Sequence, residues 1–264
     1  MKYESLKHGY GLSGLIRERE IGYWESHVPA ELASQGWSLT DIKPHVDLEE
    51  WRGHLKDLPR DPYVNRRWKR MSWLNLTDTD DVEVMGECPM AQGGMFNDAD
   101  SMADKLRYYP GLTEEFTSRS DVKAFVRAWA KLWGIGPREP ILMQITGVRG
   151  KGKLDPLQGQ GIHADGCKSL SILVVNRDNV SGACNHLYAD KAGRQPLMDR
   201  VLAPGEVLHI RDDQLFHSAD GITQENPDAP YERFIIIINS RFVDGFQNRM
   251  LRRHFPDAVL NEVF

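Results

Sequence analysis

Five consecutive apolar residues, Phe234-Ile235-Ile236-Ile237-Ile238, follow directly on Arg233. A short run so rich in β-branched side chains predicts a strand buried on both faces. Leu170 to Val175 is a second run of the same kind. Strands of this type need cover on each side of their sheet, so the chain must supply at least two further layers. A guanidinium at the mouth of such a strand points into a sheltered pocket, and a fixed cation there calls for an anion.

Upstream of the Leu170 run stands Gly161-Ile162-His163-Ala164-Asp165-Gly166. Side chains two apart in an extended segment share a face, so one metal ion can take the His163 imidazole and the Asp165 carboxylate together. The segment Asp212-Asp213-Gln214-Leu215-Phe216-His217 offers a third ligand in His217, 54 residues beyond His163, enough chain for an antiparallel sheet to return. Two imidazoles and one carboxylate leave positions on the metal open, an arrangement suited to non-haem Fe(II) oxygenases, whereas a structural zinc site wants a fourth side chain. For the anion at Arg233 the far carboxylate of 2-oxoglutarate is the natural candidate, because the Arg fork binds a carboxylate through two parallel hydrogen bonds. His186 and His209 are rival imidazoles. His209 falls within a strand and reads as a core histidine, and His186 has no carboxylate at a useful spacing before Asp190.

These segments, with Val175-Asn176-Arg177-Asp178-Asn179-Val180, resemble the Fe(II)/2-oxoglutarate-dependent dioxygenases, in the branch of isoleucine 4-hydroxylase and related free amino-acid hydroxylases. The resemblance implies that His163, Asp165 and His217 are the iron ligands and catalytic centre, that Arg233 binds the co-substrate, and that Fe(II), 2-oxoglutarate and O2 are required. Order and spacing agree over residues 141–242. Upstream it rests on Asp61-Pro62-Tyr63, Arg66, Arg67, Arg70, Gln92 and Asn97. Three positions depart from the pattern: Gln144-Ile145-Thr146 replaces Gln-x-Arg, Ser181-Gly182-Ala183-Cys184 replaces Gly-Gly-Glu, and Ile235 replaces a hydroxyl residue.

The fold class expected is mainly β with flanking helices around a double-stranded β-helix, that is, a jelly-roll or cupin-like core. A single domain, 1–264, divides into a mostly helical N-terminal elaboration with some strands (1–140), the core with the metal site (141–242) and a helical tail (243–264). The tail has Phe246, Met250, Leu251 and Phe255 in helical register, either as a last piece of cover or as a homodimer contact. The clearest helix runs from Ser120, its expected cap, to Gly134. Val122, Phe125, Val126, Trp129, Leu132 and Trp133 line one face of it. A shorter one is expected over Asp47 to Leu58, and residues 1–35 read as charged and mostly helical, with Glu31 to Gln35 ending at Gly36.

Pocket candidates come from placement and charge. Arg66-Arg67-Trp68-Lys69-Arg70 alternates along a strand, so Arg67 or a neighbour could grip a substrate carboxylate. Gln92 and Asn97 lie in a Gly-, Pro- and Met-rich loop, and Gln144 in the strand Ile141 to Val148. Arg149, Lys151 and Lys153 belong to a glycine-rich loop that could close over anionic groups. Asn176, in the turn after Val175, either serves that turn or points back into the pocket beside the co-substrate.

The net charge of -5, with basic residues scattered, gives no footprint for nucleic acid or an anionic membrane. No apolar stretch approaches the ~20 residues a spanning helix requires, and no leader pattern precedes the first helix. Cys88, Cys167 and Cys184 are odd in number and lack metal-type spacing, which fits a reducing, cytoplasmic setting. Cys167 is the thiol closest in sequence to the expected metal. The expected partner is a small amino-acid-like molecule whose C–H bond is hydroxylated as 2-oxoglutarate is converted to succinate and CO2. Desaturation or ring closure would use the same cofactors. A metal oxygenase or isomerase on the same barrel would need no Arg233, and a metal-binding cupin-like module without turnover would hold its metal fully ligated.

Overall fold

The computed structural model describes residues 22–96 and 103–260. In chain order its elements are α1 (His27–Gln35), β1 (Trp37–Asp41), α2 (Leu48–Gly53), β2 (Arg67–Leu76), β3 (Val82–Val84), α3 (Glu114–Thr117), α4 (Ser120–Trp133), β4 (Ile141–Gly150), β5 (Cys167–Asp178), β6 (Val180–Gly182), β7 (Cys184–Tyr188), β8 (Pro196–Val201), β9 (Glu206–Arg211), β10 (Phe216–Ala219), β11 (Ile222–Gln224), β12 (Tyr231–Phe242) and α5 (Gly245–His254). Seven strands form one antiparallel sheet in the order β1-β9-β5-β12-β4-β2-β3, and β10-β7-β8 and β11-β6 form two smaller ones. The apolar runs that follow Arg233 and Lys168 are thus adjacent strands, β12 and β5, at the centre of the large sheet.

Burial on both faces has a concrete cause here. Phe234, Ile236 and Ile238 point to one side, into a core with Trp51, Phe125 and Trp129 of the helices. Ile235 and Ile237 point to the other, toward a second core with Leu170, Ile172 and Leu187 between the large sheet and the small ones. The result is the jelly-roll pair with helices outside. The sheet is not confined to residues 141–242, however: β1, β2 and β3, from the half expected to be mostly helical, supply three of its seven strands.

Local chemistry fixes the helix ends, with two differences from expectation. Arg119, not Ser120, is the cap position of α4, and the hydroxyl of Ser120 caps nothing because it already lies inside the first turn. Asp121 there accepts from Arg119 and from Trp51 Nε1 (2.9 Å), which ties α4 to α2. The helix at Leu48 is six residues, not twelve; Asp47 caps it through the Glu50 N–H (3.1 Å), and turns continue to Leu58. The tail covers the fold: Met250 and Leu251 are buried in the second core. Its cap Asp244 accepts from the Gly93 N–H (2.6 Å) and Gln247 accepts from the Ala91 N–H (2.8 Å), so α5 clamps the loop that carries Gln92. No helix among the described residues is long and apolar enough to cross a membrane.

Candidate metal centre and pocket

His163, just ahead of β5, forms an isolated antiparallel bridge with His217 of β10, with N–H to C=O distances of 3.0 and 2.8 Å in the two directions. Their rings lie 4.2 Å apart, centroid to centroid. Asp165 completes the group: its Oδ1 is 3.6 Å from His163 Nε2 and its Oδ2 is 3.9 Å from His217 Nε2. Ligand atoms of all three lie within 4.8 Å of one another. The Nδ1–H of His163 donates to the Gly161 carbonyl at 3.0 Å, which leaves the Nε2 lone pair for a metal.

The loop holding Asp165 is pinned by a residue whose part is not apparent from sequence spacing. Asp212 is buried, and its Oδ2 accepts the backbone N–H groups of Asp165 (2.8 Å), Gly166 (3.0 Å) and Cys167 (3.2 Å). Gly166 is obligatory at that turn, because its φ is +82° and a Cβ there would lie 2.7 Å from the Phe96 ring. Asp212 Oδ1 stands 3.3 Å from His217 Nε2 without the alignment of a hydrogen bond, and both atoms are otherwise unpartnered. Burial opposes protonation of His217, but the carboxylates of Asp212 and Asp165 outweigh it and hold its pKa above the usual histidine value. Burial and the neighbouring imidazole push His163 the other way. Two nitrogens and a carboxylate thus converge on a sheltered point that lacks the hydrogen bonds to satisfy them. That fits a divalent metal ion with further positions open.

A cavity of about 370 Å³ opens from this point, lined by His163, Asp165 and His217 and by the inward faces of β2, β4 and β12. Arg233 also lines it, 6% exposed, donating no hydrogen bond among the described residues and with Nε unpartnered. Burial, and behind it the Arg177 guanidinium, bring its pKa down to about 10, so it stays a cation at neutral pH. Of the other pocket candidates, Arg67, Gln92 and Gln144 line the cavity. Arg67 is paired with the buried Asp61 at 2.7 Å, and Gln92 accepts from Arg107 Nη2 at 2.7 Å. Asn97 lies outside the described residues.

Two candidates are corrected. Asn176 does not point back into the pocket. A bulge at Val175, which no β12 residue opposes, reverses the alternation, so Asn176 pairs with Phe234 and its side chain donates to Glu232 Oε1 at 2.8 Å. Arg149 lies one residue out of phase with Gln144, Thr146 and Val148. Its guanidinium packs on Trp68 and Phe234 and pairs with Glu232 at 2.9 Å, on the helix-covered side. Pro156, Leu157, Gln158 and Gln160 of the following loop reach the cavity instead.

The two rival imidazoles have other partners. His209 is fully buried, with Nδ1 2.7 Å from Ser171 Oγ, which also accepts from Trp129 Nε1. His186 sits between Asp199 and Asp220, at 2.5 and 3.0 Å, partners too distant in sequence for spacing to reveal. Cys167 is buried against Asp212 with its pKa pushed well up by burial, an unreactive thiol despite its position. Sequence reasoning missed Lys69 and Arg107 as cavity residues. Lys69 was accessible in principle, since it shares the face of Arg67 two residues earlier.

A sequence model described as 2OG-Fe dioxygenase matches residues 52–239 of the chain. No curated protein matches. Among solved structures, the chain is similar to a BsmA homologue from Methylobium petroleophilum PM1 at 19% identity and a TM-score of 0.64, over 82% of this chain and 92% of that one. It is similar to TqaL, described as an Fe(II)/α-ketoglutarate-dependent dioxygenase, at 12% identity and a TM-score of 0.63, over 88% and 90% of the two chains. It is similar also to IDO from Bacillus thuringiensis at 13% identity and a TM-score of 0.59, over 82% and 98%. At these identities the likeness is one of fold.

Proposed function

Because the chain belongs to the 2OG-Fe dioxygenase family, with Fe(II), 2-oxoglutarate and O2 as its cofactors, we propose that it oxidises an unactivated C–H bond of a free amino acid or small amino-acid-like metabolite, by hydroxylation. The observation that carries this reading is that three metal-ligating side chains and an unpaired buried guanidinium share one cavity of about 370 Å³. Such a volume suits a small molecule beside the co-substrate.

Iron(II) with 2-oxoglutarate supplies the oxidising power when bound: one oxygen atom of O2 enters succinate, CO2 leaves, and the other oxygen goes to the substrate. The chain's own residues do the rest. His163, Asp165 and His217 hold the ion through Nε2, a carboxylate oxygen and Nε2, and Asp212 keeps the Asp165 turn in place. Arg233 takes the far carboxylate of 2-oxoglutarate through its fork. Ile172, Ile235 and Ile237 keep the floor of the cavity apolar, which excludes water from the oxidised C–H bond. Arg67, Gln92 and Gln144 orient the substrate from the β2 and β4 side. The three cysteines are unpaired, two of them buried, which supports a reducing, cytoplasmic setting.

The test is succinate release by anaerobically Fe(II)-loaded protein given 2-oxoglutarate, air and a panel of free amino acids and their simple derivatives. Stimulation by one class, with a product 16 mass units heavier, is expected. Succinate release that no member of the panel stimulates would remove the amino-acid assignment.

A further inference from the structure

Two cations of the cavity have no acid at ion-pair distance among the described residues, although the Asp61 and Asp165 charges act on Lys69 from further off. Lys69 is 5% exposed, makes no ion pair among the described residues, and places Nζ 4.0 Å from Met90 Sδ and 4.3 Å from the centre of the Tyr109 ring. Arg107 is 3% exposed; one of its nitrogens donates to Gln92, and its Nε is buried without a partner. Opposite Lys69 in the β2–β4 register stands Thr146, whose Oγ1 is also buried and unpartnered. All three line the cavity. A sheltered charge without a close counter-charge is costly to keep, so chains seldom keep it without a use.

The charges of the site sharpen the point. A metal dication, Asp165, Asp212, doubly charged 2-oxoglutarate and Arg233 sum to one negative charge. Arg67 and the buried Asp61 cancel as an ion pair. Lys69 and Arg107 then leave one positive charge over, and a zwitterionic amino acid, neutral as a whole, would leave it so.

We infer that Lys69 and Arg107, with Thr146, form an anion subsite, and that the molecule oxidised here is net negative, with a carboxylate held between these two cations. The inference rests on the oxygenase reading and narrows it from amino-acid-like metabolites in general to acidic ones: dicarboxylates, acidic amino acids or amino acids whose amine is acylated. Burial, and then the Arg67 and Arg107 charges, disfavour the charged form of Lys69 and lower its pKa well below the usual lysine value. An arriving carboxylate reverses that and draws the proton back.

Isosteric pairs that differ by one charge test the subsite. Protein loaded with Mn(II) and 2-oxoglutarate without oxygen is titrated by calorimetry with L-glutamate and L-glutamine, L-aspartate and L-asparagine, and N-acetyl-L-leucine and N-acetyl-L-leucinamide. The anionic member of at least one pair is expected to bind at least about tenfold more tightly, equivalent to about 1.4 kcal/mol. Lys69→Met should reduce that preference to about threefold or less and leave the 2-oxoglutarate Kd unchanged, since Arg233 serves the co-substrate; Met keeps the volume and removes a buried charge. Equal or tighter binding of the neutral members, no binding of any anion, or a preference that survives both Lys69→Met and Arg107→Met would overturn the subsite. A rise in the 2-oxoglutarate Kd in Lys69→Met would overturn it too, by assigning Lys69 to the co-substrate. Succinate release by the same protein samples reloaded with Fe(II) and exposed to air separates the two readings. Anion selectivity without turnover keeps the subsite and removes the oxygenase assignment, and turnover with neutral amino acids does the reverse.

Discussion

His163 and His217 stand 54 residues apart in the chain and exchange both of their backbone hydrogen bonds, at 3.0 and 2.8 Å. The pairing means that the backbone, not only the metal, sets the distance between the two imidazoles. The triad is therefore built before any ion arrives, and its failure modes are those of the strands that carry it.

Asp212 is the first place to look for such a failure. Its Oδ2 accepts three backbone N–H groups from the Asp165 turn, a charge-assisted set that an amide cannot reproduce. Asp212→Asn should lower stability by about 1–3 kcal/mol and weaken metal binding by roughly 10- to 100-fold. Denaturant melts and Mn(II) titration followed by electron paramagnetic resonance would measure both.

Arg233 should govern affinity for the co-substrate alone. Replacing it by Met removes one member of a buried charge pair, a change worth about 2–5 kcal/mol, so the 2-oxoglutarate Kd should rise by roughly 30-fold or more while Mn(II) affinity holds. Calorimetric titration of the Mn(II)-loaded variant with 2-oxoglutarate checks it. An unchanged Kd would remove Arg233 from the co-substrate site.

Arg149 and Asn176 provide the contrast. Both stand on the helix-covered side of the sheet with Glu232. Arg149→Met and Asn176→Ala should each leave the 2-oxoglutarate Kd within about twofold of the parent. Arg149→Met should cost about 1–2 kcal/mol of stability through its lost cation–π contacts with Trp68 and Phe234.

His209 predicts part of the acid response. Burial lowers its pKa to about 3, against 6.5 for the free side chain. Below about pH 6.5 the unfolded chain binds a proton there that the folded chain refuses, so stability falls as pH falls, by up to about 1.4 kcal/mol per pH unit from this site until pH approaches 3. His209→Gln should flatten the stability profile between pH 6 and pH 4, read from thermal melts at fixed ionic strength.

What the sequence made legible follows the range of its signals. The apolar runs at Leu170 and Phe234 announce doubly covered strands because nothing else tolerates them, and His163, Asp165 and His217 were legible because ligand chemistry constrains residue type. Alternation also places Gln144 on the cavity side. It fails at Asn176, where a single unopposed residue, Val175, turns the face over, and no local pattern announces a bulge. Asp212 and Arg107 stayed hidden for another reason. Their partners, the Asp165 turn and Gln92, are set by tertiary return of the chain, as are the two carboxylates that hold His186. Lys69 was obscured by its company, since alternation in the basic cluster singles out no one cation, and its burial comes from non-local cover: β3 pairs only with Leu74 to Leu76, while the Arg60 bridge and the Pro59 and Pro110 carbonyls close the β2 edge around Lys69.

The central claim is that iron held by His163, Asp165 and His217 couples 2-oxoglutarate decarboxylation to oxidation of a small substrate. Mass spectrometry of the products under ¹⁸O2, for Fe(II)-loaded protein with 2-oxoglutarate and the panel above, tests it most directly. The account predicts succinate carrying one ¹⁸O atom, abolished in Asp165→Ala. Wild-type protein with iron bound that forms no succinate, or only unlabelled succinate, would contradict it.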